Sequence, residues 1–310
     1  MNRNLSFNTL VCLVSILLIG VSISAAGPEA PTAPRYGEPP IETLGKIAQQ
    51  QGIPASRLWG LRIENEFRLM KGDASPSHRG SNILKFKPFF SVPAGDFFGD
   101  RVNILFRPVI PLVSTPFQKL IPPAGPLAPP RLEWDRETGL GDIGLLFLLG
   151  HASRTKGFVY GIGPTWIFPT ASEEVLGRGK WQAGPAGALS YLGEKWVFGL
   201  LVQQLWSFAG EDDRPDTSAM DILYAIHYRI TPTWLIGMSP TIGLDWKGGD
   251  DNKLSLPIGL GTSVTVKIGR FPVVLGCEVQ YYLRRPDNFG PEWNFRVFMF
   301  PVFRRPFASK

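Results

Sequence analysis

Trp234-Leu-Ile-Gly-Met-Ser-Pro-Thr-Ile-Gly-Leu-Asp-Trp246 alternates: Trp234, Ile236, Met238, Ile242, Leu244 and Trp246 share one parity, and Gly237, Ser239, Thr241, Gly243 and Asp245 share the other. A Gly/Asp turn follows. Leu254, Leu256, Ile258, Leu260, Val264, Val266 and Ile268 then alternate with Lys253, Ser255, Gly259, Gly261, Ser263, Thr265 and Lys267. Successive side chains of a strand point to opposite faces, so each segment has one greasy face and one small or polar face. A soluble sandwich would turn the greasy face inward. Here tryptophans stand at both ends of the apolar row, as where a strand meets two membrane interfaces. The expected fold is all-β, a transmembrane antiparallel up-and-down β-barrel. Its oily side chains should point outward and its hydrophilic ones gather around the axis.

The start of the chain points to the same compartment. Arg3 supplies a positive charge ahead of the apolar stretch Leu10 to Ile23, and Ser24-Ala25-Ala26 offers small residues for a signal peptidase. Residues 1–26 are therefore expected to be a cleaved signal peptide. The stretch is short and interrupted for a spanning helix, which needs about 20 apolar residues. No later stretch reaches that length, so a membrane protein of this sequence must be a closed barrel, because lipid leaves no tolerance for an open sheet edge. Cleavage lowers the net charge from +6 to +5, since Arg3 is the one charged side chain removed. Lys and Arg are scattered singly, which excludes a nucleic-acid stripe. Cys277 would be the one cysteine left, which excludes an internal disulfide and a thiol metal cluster. The 34 Gly and 29 Pro suit many strands joined by turns.

Residues 27–55 read as a Pro-rich periplasmic leader with a short helix over Ile41 to Gln51, expected to pack on the barrel rim in preference to plugging its mouth. The barrel is expected over 56–303 and a tail over 304–310. About twelve strands are legible: Leu58–Met70, Asn82–Ser91, Arg101–Leu112, Gly139–Leu149, Gly157–Phe168, Trp181–Leu192, Trp196–Phe208, Thr217–Tyr228, Trp234–Trp246, Lys253–Ile268, Pro272–Leu283 and Trp293–Phe303. The joins sort by length. Gly193-Glu-Lys195 and Gly269-Arg-Phe271 are tight, whereas Val113 to Thr138, Pro169 to Lys180, Ala209 to Asp216 and Arg284 to Glu292 are longer and polar. Short periplasmic turns alternating with longer outer loops are what a barrel with both termini in the periplasm shows. Val92 to Asp100 is longer than that rule. Trp196 and Trp206, like Trp234 and Trp246, bracket an apolar row as girdle residues. Ten residues rise roughly 33 Å, or about 23 Å at a 45° tilt, which matches the apolar band.

The opposite parity should line a lumen. It carries Arg62, Glu64, Glu66, Arg68, Lys85, Lys87, Arg107, Asp142, Asp245, Glu278, Gln280 and Arg296. Charges at bilayer depth must face water or one another. Either these groups form a salt-bridged filling, or some line a solute path and set its charge preference. A lipid hydrolase would need a Ser–His pair at the outer-leaflet interface. His151 and His227 lie toward the periplasmic end, and His78, in the expected first outer loop, has Ser75, Ser77 and Ser81 only as loop neighbours. No catalytic, cofactor-binding or metal site is expected; Glu211-Asp-Asp213 and Asp250-Asp251 lack metal-loop spacing.

Beyond these patterns, the chain resembles a bacterial family of outer-membrane transporters named for the meta-pathway of phenol degradation, some of whose members carry the label neuromedin U. The likeness rests on Thr138-Gly-Leu-Gly-Asp-Ile143, Phe168-Pro-Thr-Ala171, Leu176-Gly-Arg-Gly-Lys-Trp-Gln182, Gly184-Pro185, Glu194-Lys-Trp196, Trp206-Ser-Phe-Ala-Gly210, Arg285-Pro-Asp287 and Gly290-Pro-Glu-Trp293. The chain departs from it in the Pro-rich loop Ile121 to Pro130 and in the tail beyond Phe303. The resemblance implies an outer-membrane channel passing small, aromatic or hydrophobic solutes. The other reading is a non-conducting structural or adhesin-like barrel. Expected partners are outer-membrane lipid and lipopolysaccharide, the barrel-assembly machinery and a small-molecule solute; no cofactor and no nucleic acid are expected.

Overall fold

The computed structural model describes residues 44, 47, 59–97, 100–122, 129–151, 157–269 and 271–303. The expected signal peptide, all of the leader but residues 44 and 47, and the C-terminal tail lie outside the described residues. Fourteen strands form one antiparallel sheet. They are β1 (Trp59–Gly72), β2 (Ser75–Phe97), β3 (Asp100–Ile121), β4 (Arg131–Leu140), β5 (Ile143–His151), β6 (Gly157–Phe168), β7 (Lys180–Leu192), β8 (Trp196–Gly210), β9 (Ser218–Thr231), β10 (Trp234–Met238), β11 (Thr241–Asp245), β12 (Leu254–Ile268), β13 (Phe271–Arg284) and β14 (Gly290–Phe303). β4 and β5 lie end to end beside β3, and β10 and β11 lie end to end between β9 and β12, so the wall has twelve staves. β1 pairs with β14, from Trp59↔Phe303 to Lys71↔Gly290, and this closes the barrel. The end at which Trp59 meets Phe303 is termed the near end.

Joins at the near end are tight, such as Gly269, whose φ of +58° suits a residue without a side chain. The apparent exception over Val92 to Asp100 disappears, because β2 runs on to Phe97, which pairs with Asp100. Two expected far-end loops are also strand. β2 begins at Ser75, so His78 is a strand residue. Residues 113–121 and 131–138 of the expected loop instead extend β3 and β4 as a ribbon in register from Leu112↔Leu140 to Ile121↔Arg131, while residues 123–128 of the Pro-rich stretch lie outside the described residues. The ribbon leans over neighbouring loops: Trp134 packs on Phe289 at 5.2 Å, and the Arg79 guanidinium lies 3.9 Å from the Trp134 ring.

The outward face is the oily one. Along β8, Trp196, Phe198 and Leu200 are exposed while Val197 and Leu201, of the other parity, are 1% exposed. Large apolar groups left uncovered in this periodic way belong against hydrocarbon. Near-end rings run around the wall, with Phe158–Tyr191 at 5.1 Å, Trp196–Tyr228 at 5.0 Å and Phe271–Phe303 at 5.7 Å. At the far end Phe168–Trp181 and Tyr281–Trp293 form a second belt. Cys277 faces outward between them.

Inside, the expectation of an all-hydrophilic axis needs correction. The near half of the lumen is an apolar collar that includes Phe89, Leu105, Leu148, Leu201, Phe298 and Phe300. Gly60 and Gly276 make room for its rings: a Cβ on Gly60 would stand 2.5 Å from Phe300, and one on Gly276 would stand 2.3 Å from Phe298. Ile47, helical and 7% exposed, is buried in this collar. This one described side chain of the stretch expected on the rim packs inward; the placement of the rest of the leader lies outside the described residues. An apolar helical residue gains more from an apolar interior than from a wet rim.

Candidate functional site

Above the collar the lumen is ionic. β1 contributes Arg62, Glu64, Glu66 and Arg68 at every second residue, and β2 contributes Lys85 and Lys87 beside them. In register Glu64 faces Lys85 and Arg62 faces Lys87, but the bonds run diagonally. Glu64 accepts from Lys87 Nζ at 2.5 Å and from Arg62 Nε at 2.9 Å. Glu66 accepts from Lys85 Nζ at 2.7 Å and also pairs with Arg68. Both carboxylates are buried, and a buried carboxylate held by two cations escapes the cost of an unpaired charge.

Across the closing seam, Glu66 is the register partner of Arg296, which is that of Glu278. Arg296 and Glu278 form a buried ion pair that also grips Ser239: both Glu278 oxygens accept from the Ser239 N–H at 3.1 Å, and Arg296 Nη2 donates to Ser239 Oγ at 2.7 Å. Gln280 Nε2 donates to Glu278 at 2.7 Å, and Asn294 Nδ2 to Gln280 at 2.9 Å. Asp221 on β9 lies within electrostatic reach of Arg178 and, less strongly, of Lys85 and Arg68.

Two cations mark the border between belt and collar. The Arg62 guanidinium lies 3.8 Å from the centre of the Phe298 ring, and that of Arg107 5.6 Å from Phe89. The first is a close cation–π contact and the second a loose one. Arg107 has no carboxylate within ion-pair distance among the described residues, and its Nε is buried without a partner. The belt thus sets six cations (Arg62, Arg68, Lys85, Lys87, Arg107 and Arg296) against four carboxylates (Glu64, Glu66, Asp221 and Glu278), an excess of two positive charges.

Ten of the residues proposed from parity, Gln280 among them, therefore come together in one belt. Asp142 does not belong to it. It lies between β4 and β5, where its carboxylate accepts from the backbone N–H groups of Ala171 (3.2 Å) and Arg178 (2.7 Å). It fastens the β6–β7 loop, a task set by the Gly-Asp turn that ends the ladder there. Asp245, the last residue of β11, stands half-exposed at the far mouth 3.8 Å from Arg178. Ser239, Asn294 and Asp221 were missed; Asn294 shares the parity of Arg296, which is the signal that could have found it. His78 meets the carboxylate of Glu292, while Ser75 Oγ donates to Ser77 O at 2.9 Å.

A closed antiparallel barrel with aromatic belts facing lipid and its charges turned inward is an outer-membrane β-barrel. Residues 77–270 match the family described as "Putative MetA-pathway of phenol degradation", and the chain belongs to that family. Its fold is similar to that of the COG4313 outer membrane channel from Pseudomonas putida F1, at 14% identity and a TM-score of 0.57, covering 88% of this chain and 100% of that one. The NanC porin is less similar, at 12% identity and a TM-score of 0.46, with 79% and 100% covered. No curated protein matches this chain in sequence.

Proposed function

We propose that the protein is a passive channel of the outer membrane for small solutes with an aromatic or apolar body, exported through a cleaved signal peptide and oriented with its near end in the periplasm. The observation that carries this reading is the stacking of two zones in one lumen: a cationic belt most of whose charges are paired, and directly below it a collar of Phe and Leu side chains. A fully ionic interior would favour hydrated ions, whereas a collar of this kind favours a solute that sheds its water. The phenol-degradation family to which the chain belongs is consistent with aromatic solutes. No nucleotide is needed, since a concentration gradient suffices. Lipopolysaccharide around the outer loops and the barrel-assembly machinery are the further partners proposed.

The test is reconstitution. Single-channel recording in planar bilayers, paired with phenol uptake by proteoliposomes, should show a current and an uptake rate above protein-free vesicles. Absence of both would remove the channel and leave a structural barrel acting through its outer ribbon.

A further inference from the structure

The stave made of β10 and β11 is bound along one flank and open along the other. Toward β9 the ladder is nearly continuous: Met238 pairs with Ile226, Thr241 with Leu223, and the Tyr224 N–H donates to Pro240 O at 3.1 Å. Toward β12 pairing covers Trp234–Gly237 against Val264–Gly261 and resumes only at Gly243 and Leu244 against Ser255 and Leu254. Residues 256–260 of β12 have no ladder partner on that side, although on their other side they pair fully with β13. Five residues correspond to roughly 17 Å of strand. Pro240 and Pro257 both stand on this seam, and neither has an N–H to offer it.

A wall in hydrocarbon cannot leave backbone groups unsatisfied. Here side chains take over part of the ladder. Ser239 turns into the lumen, where its N–H is held by Glu278, its carbonyl accepts from Arg296 Nη2 at 3.2 Å and its hydroxyl accepts from the same nitrogen. On the outside, the Tyr224 hydroxyl reaches past the stave and donates to Pro257 O at 2.6 Å. The seam is thus bolted from both faces by groups that can rotate away, unlike a ladder bond. Its inner face toward β12 is Pro257, Gly259 and Gly261, which bear no bulky side chain. A cavity of about 20 Å³, room for one water, lies behind it against Arg62, Glu278 and the collar ring of Phe298. Its outer face is flanked by Ile258 and Leu260, both exposed to lipid.

We propose that this seam is a lateral port, closed in this structure by the Ser239 and Tyr224 bolts, through which apolar aromatic solutes pass between the lumen and the bilayer hydrocarbon. The port rests on the channel reading above. A solute resting on Phe298 meets paired charges along the axis, where its apolar body has no complement. Sideways, once the Ser239 and Tyr224 bolts have turned aside, it meets proline, glycine and then lipid.

The test locks the seam. By continuation of the Gly237↔Gly261 register, Met238 and Leu260 stand opposite one another. Met238→Cys with Leu260→Cys, in a Cys277→Ser background, forms a disulfide only when their Cα atoms come within about 7 Å. Vesicles with lipopolysaccharide in the outer leaflet carry the protein; single-channel current reads the axial path, and the fluorescence rise of N-phenylnaphthylamine reads passage into hydrocarbon. Oxidation should bring probe transfer down to the protein-free rate with the current unchanged, and reduction should restore it. Tyr224→Phe, which removes one bolt worth a single hydrogen bond, should speed transfer by about fivefold. Equal transfer in the oxidised and reduced proteins, with current present, overturns the port and spares the channel. Where the disulfide does not form, unchanged transfer in Tyr224→Phe overturns it. Absence of both current and transfer overturns the channel reading itself.

Discussion

Arg107→Glu reads the charge of the belt most directly. Arg62 and Arg68 each hold a carboxylate, so reversing either one also breaks an ion pair. Arg107 has no such partner among the described residues, and reversing it changes the lumen potential without breaking an ion pair, at the loss of one loose contact with Phe89. The substitution alters the charge felt by a passing ion by two units. At ~6 Å in water this amounts to ~1.4 kcal/mol, which screening at physiological salt, with a Debye length of about 8 Å, reduces to ~0.7 kcal/mol. The barrier for an anion rises by this amount and that for a cation falls by the same. The permeability ratio should therefore move about tenfold toward cations, and the low-dielectric wall can only enlarge the effect. The measurement is the reversal potential in a planar bilayer under a KCl gradient. Arg107→Lys keeps the charge and should leave that potential where it was. A reversal potential unmoved by Arg107→Glu while current persists would refute the placement of this residue on the conducting path.

Three further outcomes are expected. Ile162, midway along β6 and 70% exposed, faces the bilayer interior; Ile162→Arg should destabilise the barrel by ~2–4 kcal/mol in folding titrations into vesicles, and a neutral result would mean that β6 does not face lipid. Glu64→Gln leaves Arg62 and Lys87 buried around a neutral amide, at a cost of ~3 kcal/mol. The temperature at which the folded form is lost on detergent gels should fall, and an unchanged temperature would show that the belt is looser than its geometry. In the loop between β8 and β9, the Asp216 carboxyl beside Lys247 and Lys180 is held below the ordinary aspartate range. The pairing is therefore complete above the ordinary value of about 3.9 and is lost only as pH falls further, through the lowered value. Carbon NMR of that carboxyl should show the low midpoint, and Lys247→Ala should raise it; a midpoint indifferent to Lys247 would refute the cause given.

Where one parity met lipid and the other met polar groups, the strands were legible, as in Trp196 to Phe208. The signal failed where the two faces stopped differing. Beyond the membrane both faces of β3 and β4 are wet, so their extensions over residues 113–121 and 131–138 have no oily parity and read as a loop. In the collar both faces are apolar, and Leu145-Leu-Phe-Leu-Leu149 or Val297 to Val302 tells a strand but not which side is lumen. The alternation around Ser239 and Pro240 kept its parity across the break, which hid the division of one expected strand into β10 and β11. A proline in a central strand was the available clue. For the site, parity found the belt, because charges repeated at every second residue of a membrane strand must all turn to the same side, away from lipid. It could not find Asp142's loop contacts, which depend on where a ladder ends.

On the channel reading, belt and collar act on different parts of one solute. A hydrated ion crosses the belt among paired charges but must shed water in the collar, and it must displace Ile47 with nothing apolar to offer in return. Removing a side chain of that size from its burial costs ~1.5–3 kcal/mol, which alone holds ion flow down by about ten- to a hundredfold. An aromatic solute entering the same collar replaces the contacts that Ile47 gives up, so its own burial offsets most of that cost. The selectivity then comes from exchange between a residue of the chain and the solute, more than from the width of the lumen. This accounts for the combination of Ile47 buried in the collar, rings seated on Gly60 and Gly276, and cations placed over rings at the border: each arrangement keeps the collar dry while the belt above stays wet.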